Sequence, residues 1–431
     1  MRRFLLLLCL LSVYTSLIAQ RTLLHCGRLI DTRNGVQRTG VTVIVEGNTI
    51  RDVVNGYVAG TGQDRVIDLK NQTVLPGLMD MHVHLENETR RGNAIDRFVL
   101  NASDVAFQSA VFARTTLLAG FTTVRDLGGT GVNISLRNAI NRGLVPGPRV
   151  YTAGKSIATT GGHADPTNGY RKDLMGNPGP NEGVINGPHD AWQAVRQRYK
   201  DGSDCIKITA TGGVLSQAKD GSGPQFTEEE VRAIVTAAKD YGYHVAAHAH
   251  GSEGIKRAIR GGVTSIEHGT YMDDEAIALA LQYGTWLVPT ITAGKSTADS
   301  AKIPGYYTDI VTPKALVVGP QIQATFAKAW KAGVKIAFGT DAGVFMHGKN
   351  WLEFVYMTEV GMPPMEALQT ATRNAAQLLG VWDRLGSIEP GKLADIISVD
   401  GDPLRDIRVM EKVSMVMKDG KLYKLNGTPL P

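Results

Sequence analysis

The chain has 431 residues, enough for two or three domains or for one large α/β barrel with an appendage. Its 46 basic and 41 acidic residues leave a formal net charge of +5, which gives no signal of a nucleic-acid-binding surface, so we expect no nucleic-acid partner. With 43% hydrophobic and 20% charged residues, the composition excludes an intrinsically disordered chain. Three cysteines cannot form a disulfide framework, so packing must stabilise the fold.

Residues 1–19 combine a basic start at Arg2 and Arg3 with an apolar run that ends at Ala19. This pattern is typical of a secretory signal peptide and predicts a periplasmic or secreted protein. An uncleaved membrane anchor is the alternative, because Leu17 is not the small residue usually found before a cleavage site. No other apolar run reaches the 18 residues that a spanning helix needs, so we expect no stable membrane insertion after signal removal.

Short alternating strands near both ends of the chain predict a small β-rich domain. The predicted strands are Leu23–Leu29, Val41–Glu46, Thr49–Val54, Val66–Asp68, Ala394–Val399 and Val413–Tyr423. The N-terminal group is too small to bury two faces by itself and needs a partner. We therefore expect a composite β-sandwich domain built from residues 20–76 and 385–431.

Residues 77–384 follow a different pattern, in which a helix ends at a glycine and an apolar strand begins at once. The junction glycines are Gly120, Gly242, Gly262, Gly284 and Gly333. Strands at Gly77–His84, Arg149–Ala153 and Cys205–Ala210 bring the total to eight. Eight buried strands alternating with helices predict a parallel (β/α)8 TIM barrel. A doubly wound open sheet is the alternative, although no phosphate-binding glycine motif follows the first strand.

Metal-binding side chains recur where the predicted strands end. They are His82 and His84 on the first strand, Lys207 on the fourth, His248 on the fifth, His268 on the sixth and Asp341 on the eighth. Because the carboxyl ends of barrel strands converge on one mouth, we expect these side chains to meet there. A hydrogen-bonded core residue is the alternative for any one histidine, but the whole set favours a metal site.

Lys207 differs from the other members because an ammonium group has no lone pair and repels a metal. Burial depresses the pKa of a lysine and exposes a neutral amine, which takes up carbon dioxide as a carbamate. The two carbamate oxygens can each bind one metal, so the pattern is consistent with two divalent ions. The alternative is a lysine that extends from the barrel mouth into solvent.

Five segments in this order resemble the amidohydrolase superfamily, specifically its imidazolonepropionase-like and prolidase-like branch: GLMDMHVHL, IKITATGG, VAAHAHG, SIEHGT and AFGTDAG. The tail GSIEPGKLADIISVDGDPL is also typical of that family. The resemblance implies a binuclear centre, expected to hold Zn²⁺, although manganese or cobalt suits the same ligands. In it, His82, His84 and Asp341 hold one ion, His248 and His268 hold the other, and N-carboxylated Lys207 bridges both.

The resemblance also implies roles in catalysis and substrate binding. Asp341 would accept a proton from the attacking water and deliver it to the leaving amine. His163 would lie over the metals and polarise the substrate carbonyl, with a solvent-exposed loop histidine as the alternative. Prolidase relatives carry HxY after the fifth strand, whereas this chain has His250 there, and either His250 or Tyr271 would contact a substrate carboxylate. His347 is expected to line the barrel mouth.

Together these features predict a secreted amidohydrolase that uses metal-activated hydroxide to cleave a small-molecule amide. The expected substrates are dipeptides or N-acyl amino acids, cleaved as by a carboxypeptidase or dipeptidase, and related enzymes also open aromatic N-acyl phenylalanine mycotoxins such as ochratoxin. Alternatives are a cyclic amide or lactone hydrolase, or a phosphotriesterase-like esterase, of the same superfamily. A metal-stabilised binding protein is the alternative from another class, but the ligand set is complete. Homo-oligomerisation is left open.

Segments 211–226 and 293–312 are long for connections within a compact barrel. Loops of this length in a compact barrel often form lids or pocket walls, so we expect both segments to be loops beside the site.

Overall fold

The computed structural model describes residues 21–92, 95–217 and 220–430. The predicted signal peptide, residues 1–19, lies outside this range, and export stays a prediction. Across the described part of the chain, no helix combines the length and the apolarity that crossing a bilayer requires.

The described residues form strands and helices that alternate through the middle of the chain. The strands are β1 (Arg21–Asp31), β2 (Val36–Glu46), β3 (Thr49–Asn55), β4 (Arg65–Pro76), β5 (Leu78–Val83), β6 (Phe121–Asp126), β7 (Arg149–Thr152), β8 (Ala158–Thr159), β9 (Val184–Ile185), β10 (Ile206–Thr209), β11 (Val245–Ala249), β12 (Ser265–His268), β13 (Trp286–Val288), β14 (Ile396–Asp400), β15 (Val413–Lys418), β16 (Lys421–Leu425) and β17 (Thr428–Pro429). The helices are α1 (Asp96–Val99), α2 (Ala102–Leu118), α3 (Val132–Asn141), α4 (Lys172–Met175), α5 (Pro188–Asp201), α6 (Glu228–Asp240), α7 (Ser252–Gly261), α8 (Asp274–Tyr283), α9 (Ile291–Ala301), α10 (Val311–Lys331), α11 (Leu352–Glu359), α12 (Pro364–Gln369) and α13 (Ala375–Leu378). Short 3₁₀ helices span Pro180–Glu182 and Ile407–Glu411, and a π-helical turn spans Thr370–Asn374.

Strands from both ends of the chain form one sheet, in the order β17-β16-β15-β14-β4-β1-β2-β3. The two ends meet where β14 runs antiparallel to β4, with Ile396 opposite Pro76. Residues from both ends, including Leu24, Val43 and Met415, share an apolar cluster of their own. Strands from both ends of the chain therefore belong to one continuous sheet, in which β1 pairs directly with β4. The composite β-sandwich domain and its bounds stay a prediction.

The middle of the chain contains two parallel sheets, β5-β6-β7 and β10-β11-β12-β13. Backbone hydrogen bonds connect them on one side, where Asp204 N donates to Thr152 O at 2.7 Å. On the other side, segment 335–342 bonds to both sheets, through Ala337 N to Leu287 O and His84 N to Ala342 O. Parallel strands linked in this way, with helices between them, fit a (β/α)8 barrel beside a separate domain.

The local signals that predicted where the parallel strands begin are confirmed. All five junction glycines have a positive φ, from 68° at Gly284 to 97° at Gly120, the left-handed conformation that ends a helix. Thr227 caps α6 by accepting a hydrogen bond from Glu230 N, and the Glu230 side chain bonds back to Thr227 N. Each junction fixes where the next strand begins and therefore where its carboxyl end reaches the site.

The expectation for segment 293–312 is wrong in part, because α9 occupies Ile291–Ala301. The segment contains glycine, serine and β-branched residues, which are weak helix formers, and this is why its sequence indicates a loop. Packing against α10 stabilises the helix, since tertiary contacts override a weak propensity.

Candidate active site

A cavity of about 580 Å³ lies at the carboxyl ends of the parallel strands. This volume is typical of a pocket for a small molecule. The predicted site residues that line it are His82, His84, His163, Lys207, His248, His250, His268 and Asp341. The structure therefore brings together side chains that are separated by more than 250 positions in the sequence.

Backbone strain is concentrated at this end of the strands. His268, Thr290 and Asp341 have positive φ angles of 71°, 53° and 61°, which residues other than glycine rarely adopt. His268 and Asp341 turn their side chains into the cavity from this conformation. Such strain persists only where the surrounding structure holds it, and it clusters at functional sites.

The first group of ligand-type atoms surrounds Asp341. Its Oδ1 lies 3.1 Å from Nε2 of His84 and 3.4 Å from Nε2 of His82. Lys207 Nζ lies 3.3 Å from Nε2 of His82. Ligand atoms of His82, His268 and Asp341 all lie within 4.8 Å of one another. These atoms are close enough to bind a common ion.

The second group consists of His248, His250 and His268, whose ligand atoms also lie within 4.8 Å of one another. His268 thus belongs to both groups. His250, which we expected to contact substrate, lies among the metal-ligand candidates. Which residues bind which ion stays a prediction.

The contacts of His248 and His268 show that this group suits a cation. His248 Nε2 faces the Gly212 carbonyl oxygen at 3.1 Å, and a carbonyl oxygen only accepts hydrogen bonds, so Nε2 carries the ring proton and Nδ1 of His248 carries a lone pair. That Nδ1 lies 2.9 Å from Nε2 of His268, whose Nδ1 in turn contacts Thr290 Oγ1 at 2.7 Å. Burial lowers the pKa of both imidazoles well below the ordinary value, so both rings are neutral and each keeps one nitrogen lone pair. A divalent cation fits this pair of nitrogens.

Burial also adjusts the protonation of the other cavity residues. It lowers the pKa of Lys207 to about 8, so more of the neutral amine is present than for an exposed lysine. It lowers the pKa of His82 and His163 to about 4 and that of His250 to about 3. Neutral imidazoles are the form that binds metals. His84 differs, because, although burial opposes the shift, the hydrogen bond and charge of Asp341 raise its pKa. The donor set of histidines, one carboxylate and one lysine fits a centre for two divalent ions.

A buried ion pair behind the site was not predicted from the sequence. Glu267 accepts hydrogen bonds from His82 Nδ1 at 3.0 Å and from Arg125 Nη2 at 2.8 Å, and Ser265 donates to it at 2.5 Å. Although burial opposes the shift, the Arg125 charge and the His82 hydrogen bond lower the pKa of Glu267 to about 2. The carboxylate therefore fixes the His82 ring with Nε2 towards the cavity. Arg125 in the buried strand β6 was a signal for this ion pair, because a buried arginine requires an acidic or hydrogen-bonding partner.

The rings of two other ligand candidates are also oriented by a contact at one nitrogen. His84 Nδ1 donates to the Gly128 carbonyl oxygen at 2.8 Å. His250 Nδ1 lies 2.7 Å from Thr270 Oγ1. Each contact engages one ring nitrogen and leaves the other for the cavity.

His163 lies over the second group, with its ring stacked on that of His248 at 4.4 Å. Its backbone N–H donates to Gln225 Oε1 at 2.8 Å, which fixes the loop. Its ring Nδ1 is buried and has no hydrogen-bond partner within the described chain. A buried nitrogen without a partner at a cavity wall suits contact with a bound molecule.

Two predicted substrate contacts do not lie in the cavity wall. Tyr271 is exposed, and its backbone N–H donates to His250 O. His347 is buried behind the mouth, where its ring stacks on Phe112 and its Nε2 contacts the Asn87 carbonyl oxygen at 3.0 Å. Both follow strands as expected, but a loop position does not determine where a side chain points. The structure therefore gives neither residue a direct contact with this cavity.

The sequence and the fold match known proteins of one family. Residues 73–423 match the amidohydrolase family. Ochratoxinase from Aspergillus niger is 31% identical, over 95% of this chain and 88% of that protein. A crystal structure of a Xaa-Pro dipeptidase with methionine bound in its active site is 55% identical, with a TM-score of 0.92 over 94% of this chain and all of the other. A prolidase complexed with N-methylphosphonate-L-proline is 32% identical, with a TM-score of 0.86 over 94% of this chain and all of the other.

Proposed function

The chain belongs to the amidohydrolase family and is a hydrolase of amide C–N bonds, and on this premise we propose that it is a metal-dependent dipeptidase. Its substrates would be dipeptides or N-acyl amino acids. Two divalent ions, zinc by preference, would be held with Lys207 as a bridging carbamate. From the predicted signal peptide we also propose that the enzyme acts in the periplasm or outside the cell.

The observation that carries this proposal is the convergence of two ligand groups on one cavity. His82, His268 and Asp341 form one group, and His248 and His268 form the other, with the substrate-contact candidate His250 within 4.8 Å of both histidines. Members of this family generally use a binuclear metal centre. Lys207 is buried at the wall of the same cavity, where its carbamate would complete the ligand set.

When bound there, the two ions would lower the pKa of a water molecule and polarise the substrate carbonyl. Asp341 would accept the proton of the attacking water and return it to the leaving amine. His163 would hold the carbonyl oxygen through its unpartnered ring nitrogen. Glu267 would keep His82 oriented throughout.

The relatives support an amide or peptide substrate. Their names include ochratoxinase, prolidase and Xaa-Pro dipeptidase. The active site of the last relative binds methionine, and an amino acid is what hydrolysis of a dipeptide releases.

The proposal is tested by a hydrolysis screen with the zinc-loaded protein. The panel contains dipeptides and N-acyl amino acids, and release of free amino acids is measured. Lys207→Ala, purified in the same way, controls for contaminating peptidases. We expect metal-dependent cleavage of at least one class, absent from the variant.

The same screen includes lactones, cyclic amides and phosphotriesters. Turnover of one of these in preference to every dipeptide and N-acyl amino acid would overturn the dipeptidase proposal and identify the esterase or cyclic amide hydrolase alternative.

A further inference from the structure

One wall of the cavity is mostly apolar and uncharged, and none of the candidate metal ligands belongs to it. It is formed by Ala293, Gly294 and Thr297 of α9 and by Val318 and Ile322 of α10, and we call it the α9–α10 wall. Val214, Leu215 and Val344 extend it around the mouth. These are small or branched side chains, which offer van der Waals contact and no ionic partner.

Charge is confined to the rest of the cavity. Among the lining residues of the described chain, the acidic and basic side chains other than histidine are Lys155, Glu182, Lys207 and Asp341. Lys155 and Glu182 form an ion pair with each other. Because no charged residue belongs to the α9–α10 wall, a charged substituent placed against it would lose its hydration without gaining a partner.

The wall is held in place by close packing between its two helices. A Cβ atom built on Gly294 would lie 2.9 Å from Ile322 Cγ2, and one built on Gly319 would lie 3.1 Å from the Gly294 carbonyl oxygen. The glycines thus allow α9 and α10 to approach closely. Thr325 Oγ1 donates to the Thr270 carbonyl oxygen at 2.7 Å and fixes α10 to the loop after β12. A rigid wall needs little ordering when a ligand binds.

We propose that the α9–α10 wall is the subsite for one amino-acid side chain of the substrate, and that this side chain is apolar and of leucine, methionine or phenylalanine size. The proposal rests on the dipeptidase function and deepens it by naming the substrate class. The wall selects through burial of apolar area, which favours a larger apolar side chain over alanine and rejects aspartate or lysine.

Val318→Thr is the variant that tests the subsite. It replaces a methyl group by a hydroxyl of the same size, at a residue that is 5% exposed and lines the cavity. Val317→Thr is the matched control, since Val317 is the adjacent residue on the same helix and is 55% exposed. The substrates are two series of dipeptides, each varying one position through Ala, Leu, Phe, Asp and Lys.

In the wild type we expect Leu or Phe to be preferred over Ala, Asp and Lys at one of the two positions. Val318→Thr should reduce the kcat/KM ratio of the Leu over the Ala dipeptide by about tenfold, the lower end of what one methyl group contributes in an apolar pocket. Val317→Thr should leave the ratio unchanged. A wild type that prefers Asp or Lys at both positions, or the same ratio in both variants, would overturn the subsite.

A binding measurement separates this proposal from the dipeptidase function. The zinc-loaded wild type and both variants are titrated calorimetrically with N-acetyl-leucine and N-acetyl-alanine. If no dipeptide is cleaved but N-acetyl-leucine binds more tightly and Val318→Thr alone loses that preference, the dipeptidase function fails and the subsite stands. Equal binding of the two ligands by the wild type would overturn the subsite.

Discussion

His82 donates a hydrogen bond from Nδ1 to Oε2 of Glu267 across 3.0 Å, and both side chains are almost completely buried. The opposite nitrogen of the ring, Nε2, faces Lys207 and Asp341. One carboxylate behind the site therefore determines which nitrogen of a ligand histidine is available in the cavity.

We expect Glu267→Gln to lower the affinity for the metal by about 10- to 100-fold, because the amide loses the charge that holds the His82 ring. Metal content after dialysis against graded chelator concentrations measures the effect. The matched control is Glu275→Gln, whose side chain is exposed and paired with Lys256.

Circular dichroism establishes that both variants are folded. Folded Glu267→Gln with the metal content of the wild type would contradict the orienting role of this carboxylate.

Lys207→Ala should abolish activity and lower bound metal from two ions towards one or none, because no anion would remain to bridge them. Short carboxylic acids added to the variant should restore part of the activity by supplying that anion. The control is Lys331→Ala at an exposed position of α10. Full activity and two ions in Lys207→Ala would rule out the bridging carbamate.

The sequence predicted the parts of the site that depend on strand ends. His82, His84, Lys207, His248, His268 and Asp341 each follow an apolar run, and parallel strands bring their carboxyl ends together. The junction glycines located those runs, because few other residues accept the left-handed turn that ends a helix.

The parts that it did not predict depend on neighbours that are distant in the sequence. Arg125 and Glu267 are 142 residues apart, and only the folded chain places their Nη2 and Oε1 atoms 2.8 Å from each other. Tyr271 and His347 were expected at the mouth from their position in loops, but side-chain direction follows from local packing, such as the contact of His347 with Phe112. Helix α9 depends on its packing against α10 rather than on its own propensity.

His250→Tyr should raise cleavage of Xaa-Pro dipeptides relative to other dipeptides, because the variant restores the HxY pattern of prolidase relatives. We expect it to retain two metal ions, as predicted for a substrate contact. Turnover of a dipeptide panel and metal analysis are the measurements, with His189→Tyr at a fully exposed position as the control. Loss of an ion would instead place His250 among the metal ligands, consistent with its proximity to His248 and His268.

Asp341→Asn should keep some bound metal and lose turnover. Asparagine tolerates the positive φ of 61° at this position and retains an oxygen ligand, but its amide does not accept a proton from water. Metal content and the hydrolysis rate are measured together, with Asp309→Asn, at an exposed position, as the control. An unchanged rate would remove Asp341 from proton transfer.

The pH dependence of stability should carry a contribution from Glu353, which supports the α9–α10 wall from behind. Its carboxyl group accepts hydrogen bonds from the backbone N–H groups of Ile291 and Thr292, at 2.8 and 2.7 Å, at the start of α9. Burial raises the pKa of Glu353 from 4.5 to about 8. Between these two pH values the folded chain binds a proton that the unfolded chain has released.

The free energy of unfolding of the wild type should therefore decrease, relative to Glu353→Gln, as the pH rises from 4.5 to about 8, and the difference should become constant above that range. The decrease for one proton is at most about 1.4 kcal/mol per pH unit. Glutamine keeps a hydrogen-bond acceptor at the start of α9 and does not titrate, so it isolates the effect of the proton. Urea denaturation at both ends of the range measures the difference, and parallel pH profiles for the two proteins would show that Glu353 is ionised in the folded state.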